Sequence, residues 1–251
     1  MEFSARGLVL SERTVGDWDK SLVLLCEGIG KISVWAKGAK RVKSPLLGAS
    51  ALFTFGSYSF ERKGERITVE SAQVEESFFG LRTDLEALAL AAYLCELCKT
   101  LCDEQQEEDD LLRLTLNALF ALSKASVPKE IVKPAFELRS LAQSGFLPAL
   151  NGCLDCGEQQ AALFFSALQG GLLCERHRAA ARDAVAVSPA VLAAMRYICS
   201  CEAKKLYAFR LPKEPLKELT DLCEIYTTTM LGMELPTLRF YRSMAAAAPI
   251  D

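Results

Sequence analysis

The amino-acid sequence predicts a multi-domain α+β protein, on three observations. Apolar and polar residues alternate through much of the first 78 positions, the period of half-buried strands. From Leu81 the apolar period lengthens to that of a helix. Between Cys153 and His177 a Cys/His segment with metal-ligand spacing interrupts the helical half. The expected organisation is a β-rich domain (1–78), a first helical part (79–145), a metal-binding insert (146–186), a second helical part (187–243) and a disordered tail (244–251).

Five strands are expected in the first part. Phe3–Leu10 opens the run, and Ser21–Cys26 is short and apolar. Gly28 and Gly30 punctuate a turn before the alternating Lys31–Ala36. Ala51–Phe60 reads as one long aromatic strand, bulged or kinked at Gly56. Gly64 turns the chain into Arg66–Val74. Five strands with short loops suit a small closed barrel, for which the five-stranded OB-fold is the natural candidate. Strand count alone leaves other small barrels and sandwiches open.

From Lys31 to Ser50 there are five basic residues and no acidic one. Small residues among Lys37, Lys40, Arg41 and Lys43 would let a backbone approach phosphates closely. A solvated loop is the commoner meaning of so short a run. At a barrel rim, however, charge beside aromatic rings is how OB-folds hold single strands. Phe53 and Phe55 are expected to share a strand face and enter the core, leaving Trp35 and Tyr58 as the less certain aromatics. The candidate nucleic-acid contacts are Lys31, Trp35, Lys37, Lys40, Arg41 and Lys43.

In the helical half, Leu81, Leu85, Leu88, Ala92 and Cys95 keep helical spacing, and Thr83 with Glu86 resembles a capping box. Cys95, Cys98 and Cys102 share one helical face and read as small buried hydrophobes rather than ligands. Asp103–Asp110 reads as a solvated connection. Leu111–Leu122 and Glu130–Gly145 are further helices, the second with Pro128 near its start. Ser188-Pro189 is a good cap for a helix over Ala190–Cys201, and Pro215–Met230 is the last helix.

The sharpest chemistry lies at Cys153-x2-Cys156 and Cys174-x2-His177. Each half is a knuckle that turns two ligands onto one ion, and together they supply a closed Cys3His set for zinc. Four protein ligands leave no open position for water, so the expected zinc is structural. Leu163-Phe164-Phe165 is expected to pack a small cluster beneath it. His177 is the only histidine, so none remains for a Ser-His or Cys-His pair. No phosphate-binding or dinucleotide glycine motif is present. A binding protein is expected, not an enzyme.

The net charge of -3 predicts no polyanion partner by itself, so nucleic-acid binding must come from a local patch. Met1–Leu10 lacks the apolar core of a signal peptide, and no run reaches the ~18 apolar residues of a membrane span. Ten cysteines are therefore expected as thiols or metal ligands in a reducing compartment.

The order of parts, the Gly30–Ser44 stretch and the paired knuckles together resemble the RecO family of bacterial DNA repair proteins. The resemblance spans nearly the whole chain. It implies an N-terminal OB-fold and a helical C-terminal domain carrying a zinc-finger-like insert. It further implies binding to single- and double-stranded DNA, annealing of complementary strands, and work with RecR and the C-terminal tail of SSB to help load RecA in recombinational repair. The implied location is the bacterial cytoplasm, at the nucleoid. Cys153, Cys156 and Cys174 match the family's zinc positions, and His177 stands where many relatives carry a fourth cysteine. Lys204, Lys205, Arg210 and Lys217 are candidate cations for an acidic tail, among which the sequence selects none. The alternative to a recombination mediator is a zinc-stabilised protein-interaction scaffold with an incidental basic loop.

Overall fold

A computed structural model describes residues 1–159 and 162–247. The chain forms two compact units, Met1–Ser126 with Phe240–Asp251, and Val127–Arg239. The first unit therefore takes in the barrel and the first two long helices.

In the first unit, β1 (Glu2–Val15), β2 (Asp19–Cys26), β3 (Gly30–Ala36), the single turn α1 (Leu46–Ala49), β4 (Phe55–Lys63) and β5 (Arg66–Glu76) build a closed barrel in the order β1-β2-β3-β5-β4. That is the expected five-stranded OB-type barrel. β1 pairs with both β2 and β4, and a bulge between Val9 and Ser11 lets this one strand curve across both. The closure between β3 and β5 is a parallel contact at Trp35 and Thr68. Val9, Leu22, Leu24, Ile32, Val34, Phe60 and Val69 fill the interior.

The expected strand over Ala51–Phe60 begins only at Phe55. Phe53 has φ 69°, a left-handed conformation that ends any extended run, and Thr54 N–H bonds back to the Ala51 carbonyl at 3.1 Å. Phe53 and Phe55 are both buried but lie on no common strand face. The irregularity at Gly56 is present, and a Cβ there would stand 2.3 Å from the Gln73 carbonyl oxygen. Tyr58, left as a less certain aromatic, is a core residue 2% exposed, its hydroxyl donating to the Ala49 carbonyl at 2.8 Å.

Helices α2 (Leu85–Leu101) and α3 (Asp109–Ser123) follow the barrel. Asp84, not Thr83, caps α2, accepting from the N–H groups of Glu86 and Ala87. Cys95, Cys98 and Cys102 are all buried, and burial pushes the Cys95 thiol well above its ordinary value. The acidic connection is not simply solvated. Gln105 N–H bonds to the Lys31 carbonyl at 2.9 Å, and the Asp109 carboxylate accepts from Gly28 N–H at 2.9 Å. Gly30, at φ 87°, lies so close that a Cβ would stand 1.7 Å from the Gln106 carbonyl oxygen. Gly30→Ala is therefore expected to cost at least about 2 kcal/mol, from the left-handed backbone and the blocked approach together. A lowered urea midpoint checks this.

In the second unit, α4 (Lys129–Gln143), α5 (Pro189–Ser200) and α6 (Lys213–Leu231) pack on one another. Ser188 caps α5, its hydroxyl accepting from Val191 N–H. Between α4 and α5 lies a small sheet of β6 (Ala149–Cys153), β7 (Leu163–Ser166), β8 (Gly171–Cys174) and β9 (Val185–Ala186), ordered β6-β8-β7-β9. Phe165 meets Tyr226 of α6 edge-on with centroids 5.4 Å apart, which ties the sheet to the helices. The last helix, α7, spans Pro236–Ala247, so the first residues of the expected tail are helical. Residues 248–251 lie outside those described.

Candidate nucleic-acid interface and candidate metal centre

The basic run lies in tight turns after β3. Arg41 N–H bonds to the Gly38 carbonyl at 3.0 Å, and Ser44 N–H to the Arg41 carbonyl at 2.8 Å. Ala39 is wholly buried and anchors the loop in the barrel core, while Lys37, Lys40, Arg41 and Lys43 point outward. Among the described residues none of these four forms an ion pair. Cations left unpaired at a surface are available to phosphates at no cost of breaking an internal bridge.

One carboxylate positions the loop. Asp19, the first residue of β2, accepts from Gly38 N–H at 2.7 Å and from the Trp35 indole N–H at 3.1 Å. The Gly38 bond first, then the Trp35 bond and the charges of Lys37 and Arg41, hold its carboxyl below the ordinary range. Lys40 N–H donates to the Trp18 carbonyl at 2.9 Å. The β1–β2 turn and the basic loop are thus joined at two points.

Two expected contacts are placed differently from the rest. Lys31 turns away from the loop and donates to the Cys102 carbonyl at 2.6 Å and the Lys99 carbonyl at 3.2 Å. It caps the C-terminus of α2, where a cation also meets the negative end of the helix dipole. Trp35 is half-buried, its N–H committed to Asp19 and one ring face covered by the Arg66 guanidinium at 4.5 Å. The residue the sequence reading passed over is Trp18, 52% exposed in the turn between β1 and β2. An indole at the tip of a polar Gly16-Asp17-Trp18 turn was the available signal, since a turn gives it no core to fill.

The second candidate site assembles as its spacing implied. Donor atoms of Cys153, Cys156, Cys174 and His177 all lie within 4.8 Å of one another. The separations are 3.5 Å from Cys153 Sγ to His177 Nδ1, 3.3 Å from Cys174 Sγ to His177 Nδ1, and 3.8 Å from Cys156 Sγ to Cys174 Sγ. Zinc bonds of about 2.3 Å to sulfur and about 2.0 Å to nitrogen, at tetrahedral angles, put neighbouring donors about 3.5–3.8 Å apart. These three of the six separations match those around a tetrahedral ion.

Local turns make this geometry. Gly157 N–H bonds to the Cys153 carbonyl at 2.8 Å, and His177 N–H to the Cys174 carbonyl at 2.9 Å. Cys153 ends β6 and Cys174 ends β8, and these two strands are neighbours in the sheet. Burial raises the Cys153 thiol, but N–H groups of the knuckles and His177 outweigh it and bring the group down to about 6. Cys174 is shifted down too, by N–H groups, Cys156 and His177 against the effect of burial. At Cys156 the Glu158 N–H pulls the thiol down, but desolvation and the Cys153 and Cys174 thiols outweigh it and shift the group up instead. Metal ligation takes the ionised form of all three. Arg178, next in sequence to His177, lays its guanidinium 4.6 Å from the Phe164 ring centroid.

Family models for "Recombination protein O N terminal" and "Recombination protein O C terminal" match residues 1–78 and 82–239. The chain belongs to the RecO family. It is similar to the DNA repair protein RecO of Acetivibrio thermocellus, 31% identical over 240 residues covering 95% of each chain. It is also 33% identical to that of Desulforudis audaxviator over 250 residues, covering 98% of this chain and 99% of the other. The RecO of Exiguobacterium sibiricum is 33% identical over 236 residues, 94% of each. Membership places the chain in DNA repair. Among the described residues no helix is long and apolar enough to cross a membrane.

Of the cations offered for an acidic tail, Lys205 lies 3.3 Å from Glu202, Lys217 lies 2.7 Å from Asp221, and Arg210 donates to the Tyr207 and Phe209 carbonyls. Three of the four therefore already have partners on the chain's own surface.

Proposed function

We propose that this protein is a non-enzymatic, DNA-binding recombination mediator. In this reading it binds single- and double-stranded DNA, anneals complementary strands and, with RecR and the SSB C-terminal tail, assists RecA loading in the bacterial cytoplasm. The observation that carries it is the loop with four exposed, unpaired cations, Lys37, Lys40, Arg41 and Lys43, on an OB-type barrel. Lys31 holds the end of α2 and is left out of the phosphate contacts. A zinc ion at Cys153, Cys156, Cys174 and His177 has a structural role here, cross-linking β6 and β8 with their turns.

Phosphate neutralisation releases counterions, so affinity for single strands is expected to fall with log salt at a slope of about -0.7 per contact. A Lys37/Lys40/Arg41/Lys43→Ala variant is expected to flatten that slope by up to about 3. A salt titration of oligonucleotide binding checks it. Unchanged affinity and slope in the variant would remove the loop from the DNA site.

A further inference from the structure

Beside the basic loop runs a cleft of about 620 Å³, walled by Trp18, Lys37 and Arg41, with Asp17 and Glu70 also lining it. Its two rims are held in register by the bond from Lys40 N–H to the Trp18 carbonyl and by Asp19 bound to Gly38 N–H. Among the described residues the Trp18 side chain makes no hydrogen bond and no ring contact, although it is 52% exposed. A large ring half exposed on a fixed backbone, next to unpaired cations, is placed to meet a ligand.

The charges of the cleft constrain what enters it. Lys37 and Arg41 attract a phosphate. Asp17 and Glu70, exposed along the same cleft, repel one, yet can accept N–H donors from a base edge. A nucleotide with its phosphate against Lys37 and Arg41 and its base edge toward Asp17 and Glu70 satisfies both. That base must be unstacked from its neighbours, which a single strand permits cheaply and a duplex does not.

On the reading of the basic loop as a phosphate contact, we propose that Trp18 is a base-stacking residue that makes this barrel prefer single-stranded over duplex DNA. Trp18 then supplies strand discrimination and Lys37, Lys40, Arg41 and Lys43 supply affinity for either form.

The test compares the full-length wild type, Trp18→Ala, Trp18→Phe and the quadruple loop variant on oligo(dT) and on a blunt duplex of equal length. One stacked base supports roughly a tenfold effect. Trp18→Ala is expected to weaken oligo(dT) binding roughly tenfold, leave duplex binding within about twofold and keep the salt slope, since no phosphate contact is lost. Trp18→Phe retains a ring and recovers most of the affinity. In a Trp35→Phe background, whose own affinity is the reference, Trp18 is the only remaining tryptophan, and its fluorescence is expected to quench on oligo(dT). Equal losses on both DNA forms, or no loss on oligo(dT), or unquenched Trp18 in a binding-competent chain, would each overturn the proposal. A neutral Trp18→Ala beside a defective loop variant overturns this inference alone. An unaffected loop variant overturns the reading beneath it.

Discussion

Cys174→Ala is expected to lower bound zinc from one ion per chain to near zero and to unfold the insert locally. Cys174 sits 3.8 Å from Cys156 Sγ and 3.3 Å from His177 Nδ1, so its loss leaves the remaining donors without their common neighbour. Structural zinc contributes apparent binding free energies of about 10–16 kcal/mol in isolated finger peptides, and that free energy is folding free energy. The insert here has a small apolar core of its own, with Leu163, Phe164, Phe165, Leu172 and Leu173 all buried. The expected loss is therefore smaller than in a finger peptide, but still several kcal/mol. Metal analysis of the purified chains and hydrogen exchange over 149–186 read the two effects separately. A variant that keeps one zinc per chain with wild-type affinity would refute the ligand assignment.

Lys133→Ala is expected to destabilise the second unit by about 3–5 kcal/mol. Lys133 is 2% exposed inside α4, with its ammonium 2.7 Å from Glu137 and 2.7 Å from Glu224 of α6. Burial alone would lower its pKa, but the two carboxylates outweigh burial and raise it. Removing the ammonium leaves Glu137, itself wholly buried, facing another carboxylate across the helix pair. Because the folded value lies above the ordinary 10.5, the contribution is fully present below pH 10.5 and is lost as pH rises through the folded value. Urea unfolding at pH 7 measures the cost. A Lys133→Met, Glu137→Leu, Glu224→Leu variant removes every charge at once and is expected to recover most of the stability, as apolar replacement of a whole buried ionic group commonly does. A triple variant as unstable as the single one would contradict this account.

The Cys/His cluster was legible because its four residues are close in sequence and the turns that converge them are local. The barrel was legible because alternation survives wherever one strand face is buried. What escaped the sequence depends on neighbours far along the chain. Nothing in the string tells that Lys31 reaches the carbonyls of Lys99 and Cys102, so it reads as one more cation of the loop. Lys133 and Glu137 have the spacing of a surface pair on a helix, and it takes the packing of the other helices on α4 to bury them. Phe53 reads as strand because its residue type favours strand, whereas it sits in a left-handed turn and its N–H donates to the distant Val9 carbonyl at 3.1 Å. Trp18 was overlooked for the opposite reason, since a turn residue carries no periodic signal at all.

The contact between Gly30 and Gln106 has a dynamic consequence. With Lys31 seated on the end of α2 and Gln105 bonded back to β3, strand and helix cannot part without breaking several hydrogen bonds at one place. The barrel and the α2–α3 pair should open to solvent as a single foldon, with β3 exchanging its amides on the timescale of the helices rather than that of an isolated barrel. The N-terminal family model ends at residue 78, whereas the compact unit runs on to Ser126, and cooperative opening is expected to follow the latter.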